Sequence, residues 1–214
     1  MNKEDVMVGR RKLMAVFLSG MICVMACCGA PALADTQRVR AKIGILVKSG
    51  ERTSTARSRE ILKAGDSLRI YVHPEKALYL YLVHTDGKKV QLLNMTAQKL
   101  ESSTLVLPSV QAFYKVDGVS PYERFTIICS PHELPELSAM VSKDFSPAKW
   151  QEVENELSKN SKIDLAVNDE APFAIAGNVR GGLDNQNTDP VVSNLQIFSG
   201  NGVLVKQYEF QIKK

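Results

Sequence analysis

The segment 77–84, with the sequence ALYLYLVH, is the feature that most limits how this chain can fold. As a strand it places alternate side chains on two faces, with Leu78, Leu80 and Leu82 on one face and Tyr79, Tyr81 and Val83 on the other. A strand with one face in water alternates apolar with polar residues, whereas both faces are apolar here. We therefore expect a sheet that is covered on both sides, by the protein's own chain or by a partner.

Short strands are predicted along most of the remaining chain. Alternating and β-branched runs indicate strands at 39–47, 67–73, 77–84, 88–93, 104–107, 112–116, 124–129, 173–179, 194–198 and 203–212. Asp86-Gly87 predicts a two-residue hairpin turn, and Gly65-Asp66 predicts another turn. Many short strands separated by Gly, Pro, Asn and Asp are typical of a β-sandwich. We predict a mainly β protein, an antiparallel immunoglobulin-like β-sandwich whose two sheets each bury one side.

A short helical insertion is predicted at about 133–160. Ser146 is suited to the N-cap of its second helix, and Pro147 to the first helical position. This helix carries an apolar stripe at spacings of three and four, formed by Trp150, Val153 and Leu157. We predict that the insertion packs on one outer face of the sandwich and that its stripe covers Tyr79 and Tyr81.

Residues 1–34 have the pattern of a secretory signal peptide. A basic start at 10–12 precedes an apolar run at 13–30 and the small-residue end Ala32-Leu33-Ala34. We predict cleavage after Ala34 and a periplasmic or secreted protein of a Gram-negative bacterium. The apolar run is shorter than the roughly 20 residues that a spanning helix needs, and no later segment is long and apolar enough, so we predict no membrane span.

Two alternatives remain for this leader. Arg10-Arg11 resembles part of a twin-arginine signal, although ordinary export of the unfolded chain is favoured. The residues before Cys27 resemble a lipoprotein box with a bulky Met25 where a small residue is usual, so a lipid anchor on Cys27 is a less favoured alternative.

Residues 35–214 are predicted to form one domain, which is long enough to bury a sizeable core. The leader contains four of the 27 basic and two of the 23 acidic residues, which leaves a formal charge of +2. This near balance of interspersed charges does not indicate a nucleic-acid partner. Cys129 is the single cysteine after the leader, so an internal disulfide is excluded.

A set of short motifs carries a family resemblance. It comprises Gly65-Asp66, Leu78-Tyr79-Leu80-Tyr81-Leu82-Val83, Asp86-Gly87, Gln91-Leu92-Leu93, Leu107-Pro108, and Glu123-Arg124-Phe125 leading into Ile127-Ile128-Cys129-Ser130. With these motifs, roughly 62–131 resembles a bacterial envelope family known as domain of unknown function 4384. The resemblance implies a small envelope β-domain, often an accessory module, and it supplies no catalytic residues. The family-like core would span about 62–145, followed by C-terminal strands at about 172–212.

Several residues have the chemistry of a site, but each has a simpler structural interpretation. Cys129 and His132 have the spacing of a thiol–imidazole pair, whereas strand parity indicates that Cys129 is a core residue. His73 and His84 are too few for a metal site, and we expect them to be solvated or hydrogen-bonded. The polar segment 181–190 lacks the spacing of a calcium loop, and 48–59 is interpreted as a loop or edge hairpin.

The predicted function is that of an exported, non-enzymatic binding or assembly module of the cell envelope. Its partner is expected to be an envelope protein, without cofactor, metal or nucleic acid. The candidate binding residues are Tyr79, Tyr81 and Trp150. The alternatives are a thiol hydrolase that uses Cys129 and His132, and a small-ligand carrier that uses the Tyr79/Tyr81 face.

Overall fold

Two β-sheets and a small helical segment form the part of the chain that the structure, a computed structural model, describes: residues 38–94, 99–101, 103–141, 145–161, 191 and 195–214. The predicted signal peptide at 1–34, the predicted strand at 173–179 and the polar segment 181–190 lie outside these residues. The strands are β1 Arg38–Ser49, β2 Arg52–Thr55, β3 Arg59–Lys63, β4 Ser67–Pro74, β5 Leu78–Thr85, β6 Val90–Leu92, β7 Lys99–Leu100, β8 Leu105–Leu107, β9 Tyr114–Lys115, β10 Tyr122–Ser130, β11 Gln196–Asn201 and β12 Leu204–Lys213. The helices are α1 Pro135–Ser138, a 3-10 turn at Ala139–Val141, and α2 Pro147–Asn160.

Each sheet contains six of these strands. Sheet A has the order β11-β1-β4-β8, with β2 beside β1 and β9 beside β4. Sheet B has the order β3-β12-β10-β5-β6, with β7 beside β5. The pair β3–β12 is parallel and the other pairs are antiparallel, so the mainly β prediction is confirmed with a sheet B that is mixed.

The hairpin predicted at Asp86-Gly87 is present, but its turn is longer than predicted. Strands β5 and β6 pair with Thr85 opposite Val90, so the turn contains the four residues 86–89 and not two. Asp86 Oδ1 accepts the backbone N–H groups of Lys88 and Lys89 at 2.8 and 2.7 Å, which fixes the turn around Gly87 at φ +83°. The predicted strand at 112–116 shortens to β9.

The main core lies between the two sheets. It contains alternate residues of β1 and β4 from sheet A together with alternate residues of β5, β10 and β12 from sheet B. Leu80 and Ile127 of sheet B are fully buried in it, as are Ile43 and Val72 of sheet A. The leucine face of β5 is therefore the core face, because alternation sends Leu78, Leu80 and Leu82 to the same side.

The helical segment packs on the outer face of sheet B, as predicted, and covers part of it. Its apolar residues form a second cluster with the outward residues of β5, β6, β10 and β12. Ser146 is the N-cap of α2 and its Oγ accepts the backbone N–H of Lys149 at 3.2 Å, with Pro147 at the first helical position. At the other end, Ser161 Oγ accepts the N–H of Val205 at 2.9 Å, which joins the end of α2 to β12.

A third, smaller cluster lies on the outer face of sheet A. Leu46, Tyr71 and Leu195 are buried together there. Leu195 packs directly over Gly44, since an ideal Cβ at that position would lie 2.6 Å from its Cδ2. An alanine at position 44 would therefore require the end of the Leu195 side chain to move.

Candidate functional site

The three predicted binding residues meet in one layer on the outer face of sheet B. Tyr79, Tyr81 and Trp150 belong to the same apolar cluster, together with Val153 and Leu157 of α2. Tyr81 is fully buried and Trp150 is 2% exposed. The chain's own helical segment thus covers the tyrosine face, and this layer is closed to a partner in the described structure.

The hydroxyl of Tyr81 anchors this layer. Its Oη accepts the backbone N–H of Leu134 at 2.8 Å and lies 3.5 Å from Ser138 Oγ. The ring packs against apolar neighbours, while the hydroxyl accepts a hydrogen bond from the backbone at the start of α1. Tyrosine suits such a position because it has an apolar ring and a polar end. Trp150 differs, because its buried indole N–H has no hydrogen-bond partner among the described residues. It contributes by packing.

Cys129 lies in the core between the sheets. Among the described residues, no histidine side chain is hydrogen-bonded to its thiol. Its side chain is fully buried, and this burial raises the pKa of the thiol to about 12. His132 is exposed beyond the end of β10. A buried, protonated thiol is not the reactive species of a thiol hydrolase, since the nucleophile is the thiolate.

The two histidines belong to different sheets. His73 of β4 is buried in sheet A, and its Nδ1 lies 2.9 Å from Thr104 Oγ1. Burial, with a smaller contribution from Lys42, lowers the pKa of His73. His84 Nε2 of β5 is hydrogen-bonded to the Glu123 carboxylate at the edge of the core. The two imidazoles have separate partners on separate sheets, so they do not form a shared site.

A row of alternating charges crosses the outer face of sheet B beside α2. We call it the polar row: Arg59, Glu209, Arg124 and Glu154. Glu154 of α2 is 1% exposed, and its carboxylate accepts Arg124 Nη1 at 2.9 Å and Thr126 Oγ1 at 2.5 Å. Arg124 also donates to Glu209 Oε1 from Nε at 3.1 Å and from Nη2 at 2.7 Å. Arg59 Nε ends the row, 3.5 Å from Glu209 Oε2.

Glu209 accepts hydrogen bonds from both Arg124 and Tyr122 in the polar row and beside it. Burial acts to raise the pKa of Glu209, but the hydrogen bonds and charge of Arg124 outweigh it and the pKa is lowered. Tyr122 Oη donates to Glu209 Oε1 at 3.2 Å. Burial is the main cause that raises the pKa of Tyr122 to about 12, so the phenol keeps this proton at neutral pH.

Beyond the polar row, α2 leaves part of sheet B open. We call this region the open corner: Arg59, Ile61, Tyr122, Glu209 and Gln211. Ile61, Gln211 and Tyr122 lie opposite one another on β3, β12 and β10. A cleft of about 250 Å³ is lined by residues 59–61, Tyr122 and residues 209–211. Ile61 is 51% exposed beside it, although large aliphatic side chains in strands usually point into a core.

The residues of the open corner and the polar row were missed by the sequence-based prediction. The signal for Glu154 is its position four residues after Trp150, since this spacing places a carboxylate on the apolar side of α2. The signal for Ile61 is weaker, because only Ile61 and Leu62 are apolar in the segment 59–63 and its other residues are charged. Both residues contact parts of the chain that are distant in the sequence, and local sequence patterns do not show which distant residues come together.

Comparison of the chain with protein-family models, with curated proteins and with solved structures found no match. The described helices include none that is long and apolar enough to cross a membrane. Across the same described residues, no group of three or more His, Cys, Asp or Glu side chains is arranged to hold a metal ion.

Proposed function

We propose that this protein is an exported, non-enzymatic binding or assembly module of the bacterial cell envelope, and that its partner is an envelope protein. The observation that carries the proposal is the open corner. The open corner places an apolar side chain beside a cleft with charged margins, and interaction sites likewise combine an apolar centre with a polar rim. The polar row stabilises this surface because Arg124 connects Glu209 to the buried Glu154 of α2.

The burial of the residues that a thiol hydrolase or a small-ligand carrier would use supports this choice. A hydrolase based on Cys129 and His132 needs an accessible thiolate, and Cys129 is fully buried with a raised pKa. A carrier that uses the Tyr79/Tyr81 face needs space above the tyrosines, and Trp150 and Val153 of α2 occupy that space. We therefore place the binding surface at the open corner.

The finer fold assignment and the cellular location are parts of the same proposal. An immunoglobulin-like sandwich is supported by two mainly antiparallel sheets that share one core. Export to the periplasm, or secretion, is supported by the signal-peptide pattern of residues 1–34. Mass spectrometry of the protein recovered from the cell envelope should find an N-terminus at Asp35, and an intact Met1 would contradict export with cleavage.

Site-specific photo-crosslinking in the living cell tests the binding proposal. A photoreactive residue in place of Ile61 should yield a discrete adduct with a partner protein. Ile197 provides the matched control, because it is also an exposed isoleucine in a strand, at 43%, but lies on sheet A. The same substitution at Ile197 should not yield that adduct. Absence of an adduct at Ile61, or identical adducts at both positions, would contradict the proposal.

A further inference from the structure

Among the described strands, β3 lies at the end of sheet B and has one free edge. It is the terminal strand and pairs in parallel with β12 on one side. The backbone N–H of Glu209 donates to Ser58 O at 2.8 Å. Since alternate residues of a strand bond its neighbour in a parallel ladder, Arg59 and Ile61 direct their N–H and C=O groups away from β12. In the part of the chain that the structure describes, no strand pairs with this edge.

The free edge is short because a turn closes its end. The N–H of Lys63 donates to Asp66 Oδ2 at 2.8 Å, and the N–H of Asp66 donates to Lys63 O at 3.1 Å. The backbone groups of Lys63 are thus already satisfied. The edge offers the backbone groups of Arg59 and Ile61, which suffices for a few residues of an added strand and not for a long one.

The outward side chains of β3 define what such a strand must carry. Arg59, Ile61 and Lys63 alternate along the outer face, with the side chain of Arg59 87% exposed and Ile61 51% exposed. Directly opposed side chains on neighbouring strands stabilise a sheet when they are both apolar or of opposite charge. A matching strand therefore has an apolar residue between two acidic residues, each separated by one position.

A second copy of this chain does not meet that requirement. An antiparallel pair of β3 strands centred on Ile61 would place Arg59 of each copy opposite Lys63 of the other. Like charges that face each other directly across a sheet destabilise the pair. The same basic side chains also oppose unspecific pairing with other edges, as charged edge residues commonly do.

We propose that the free edge of β3 binds an extended segment of a partner protein that carries the pattern acidic–x–apolar–x–acidic. The backbone of this segment pairs with Arg59 and Ile61, and its acidic side chains face Arg59 and Lys63. Its apolar side chain packs beside Ile61, at the margin of the cleft. The pattern reads the same in both chain directions, so it suits a parallel or an antiparallel addition. This inference rests on the proposed binding function and specifies the chemistry of the partner.

A titration with two capped peptides of nine residues tests the proposal. The first has glutamates flanking a valine at alternate positions, with serine and threonine elsewhere, and the second has lysines in place of both glutamates. Amide chemical shifts of the ¹⁵N-labelled protein, purified from the cell, should change at Arg59 and Ile61 with the glutamate peptide. The lysine peptide should produce no such change.

Charge reversal separates a specific contact from general attraction. The double substitution Arg59→Glu and Lys63→Glu should weaken binding of the glutamate peptide by about tenfold or more and should create binding of the lysine peptide. Lys63→Glu alone leaves the contact between Arg59 and Glu209 intact. It should weaken binding of the glutamate peptide less than the double substitution does. The matched control is Arg52→Glu, an exposed arginine on β2, which should leave the affinity unchanged.

Three results would overturn this inference. They are equal binding of both peptides, an equal effect of Arg52→Glu, and shift changes confined to another strand edge. If the glutamate peptide does not bind while crosslinking at Ile61 still yields its adduct, the proposed function stands and the assigned partner chemistry is wrong. If the crosslink also fails, the proposed function itself is contradicted.

Discussion

Tyr81 Oη accepts the backbone N–H of Leu134 at 2.8 Å, which ties the middle of β5 to the residue before α1. This bond joins the sheet to its helical cover. The neighbouring Tyr79 lies in the same apolar cluster but forms no such bond among the described residues.

Tyr81→Phe should therefore lower the free energy of unfolding by about 1 kcal/mol, because the N–H of Leu134 loses its acceptor while the ring remains. Urea unfolding followed by circular dichroism measures the change. Tyr79→Phe is the control and should alter the free energy by less than about 0.5 kcal/mol. Equal effects of the two substitutions would show that the hydroxyl of Tyr81 does not anchor α1.

Leu80→Ala should lower the free energy of unfolding by roughly 2–5 kcal/mol, since Leu80 is fully buried between the two sheets. Val119→Ala is the control for removal of an apolar side chain, because Val119 is 76% exposed and should change the free energy by less than about 0.5 kcal/mol. A near-neutral result for Leu80→Ala would mean that the leucine face of β5 is not the core face.

Glu154→Gln should destabilise the protein by about 1–3 kcal/mol, because Arg124 and Thr126 donate to different carboxylate oxygens and a neutral amide keeps only one acceptor oxygen in this buried site. Arg124 keeps its bonds to Glu209, which limits the loss. Glu152→Gln on the same helix is the matched control. Its side chain is 74% exposed, its ion pair with Lys149 spans 3.6 Å, and the expected change is below about 0.5 kcal/mol. Urea unfolding of both variants should separate them clearly.

Glu209 should make the stability of the protein depend on acid pH. Its folded pKa is lowered below the ordinary value of 4.5, so the ionised form favours the folded state. This contribution is present above about pH 4.5 and is lost as the pH falls through the folded pKa. Unfolding measured between about pH 3 and pH 6 should show that Glu209→Gln differs from the unmodified protein less and less as the pH falls. The control for loss of a surface carboxylate is Glu51→Gln at an exposed turn position, which should change the free energy of unfolding at pH 7 by less than about 0.5 kcal/mol.

Cys129 should resist alkylation in the folded protein. Burial raises the pKa of the thiol to about 12, so it stays protonated at pH 8, and the side chain is also out of reach of a reagent. Iodoacetamide labelling followed by mass spectrometry should therefore be slow in buffer and rapid in concentrated urea. Rapid labelling of the folded protein would restore the thiol hydrolase as a competing function.

Most of the local elements, and the buried faces of β5, could be predicted from the sequence. The alternation in β5 predicted two covered faces, and the structure places Leu80 in the core and Tyr81 under the helices. The hairpin at Asp86-Gly87 and the N-cap at Ser146 were also predictable, because a turn or a cap depends on residues that are close in the chain. The stripe of Trp150 and Val153 matched the tyrosine face since both surfaces needed apolar cover.

The strand order of the sheets and the exposure of the open corner could not be predicted from local sequence patterns, because both depend on contacts between distant parts of the chain. The parallel pairing of β3 with β12 joins residues about 150 positions apart, as with Arg59 and Glu209, and no local pattern specifies that partner. The sequence indicates that Glu154 lies on the apolar side of α2, but it does not identify the partner of this carboxylate. The buried ion pair forms because folding brings Arg124 next to Glu154. Ile61 remains exposed because α2 ends its cover at the polar row. Local periodicity selects the faces of each element, whereas the pairing of distant elements selects which of those faces stay open.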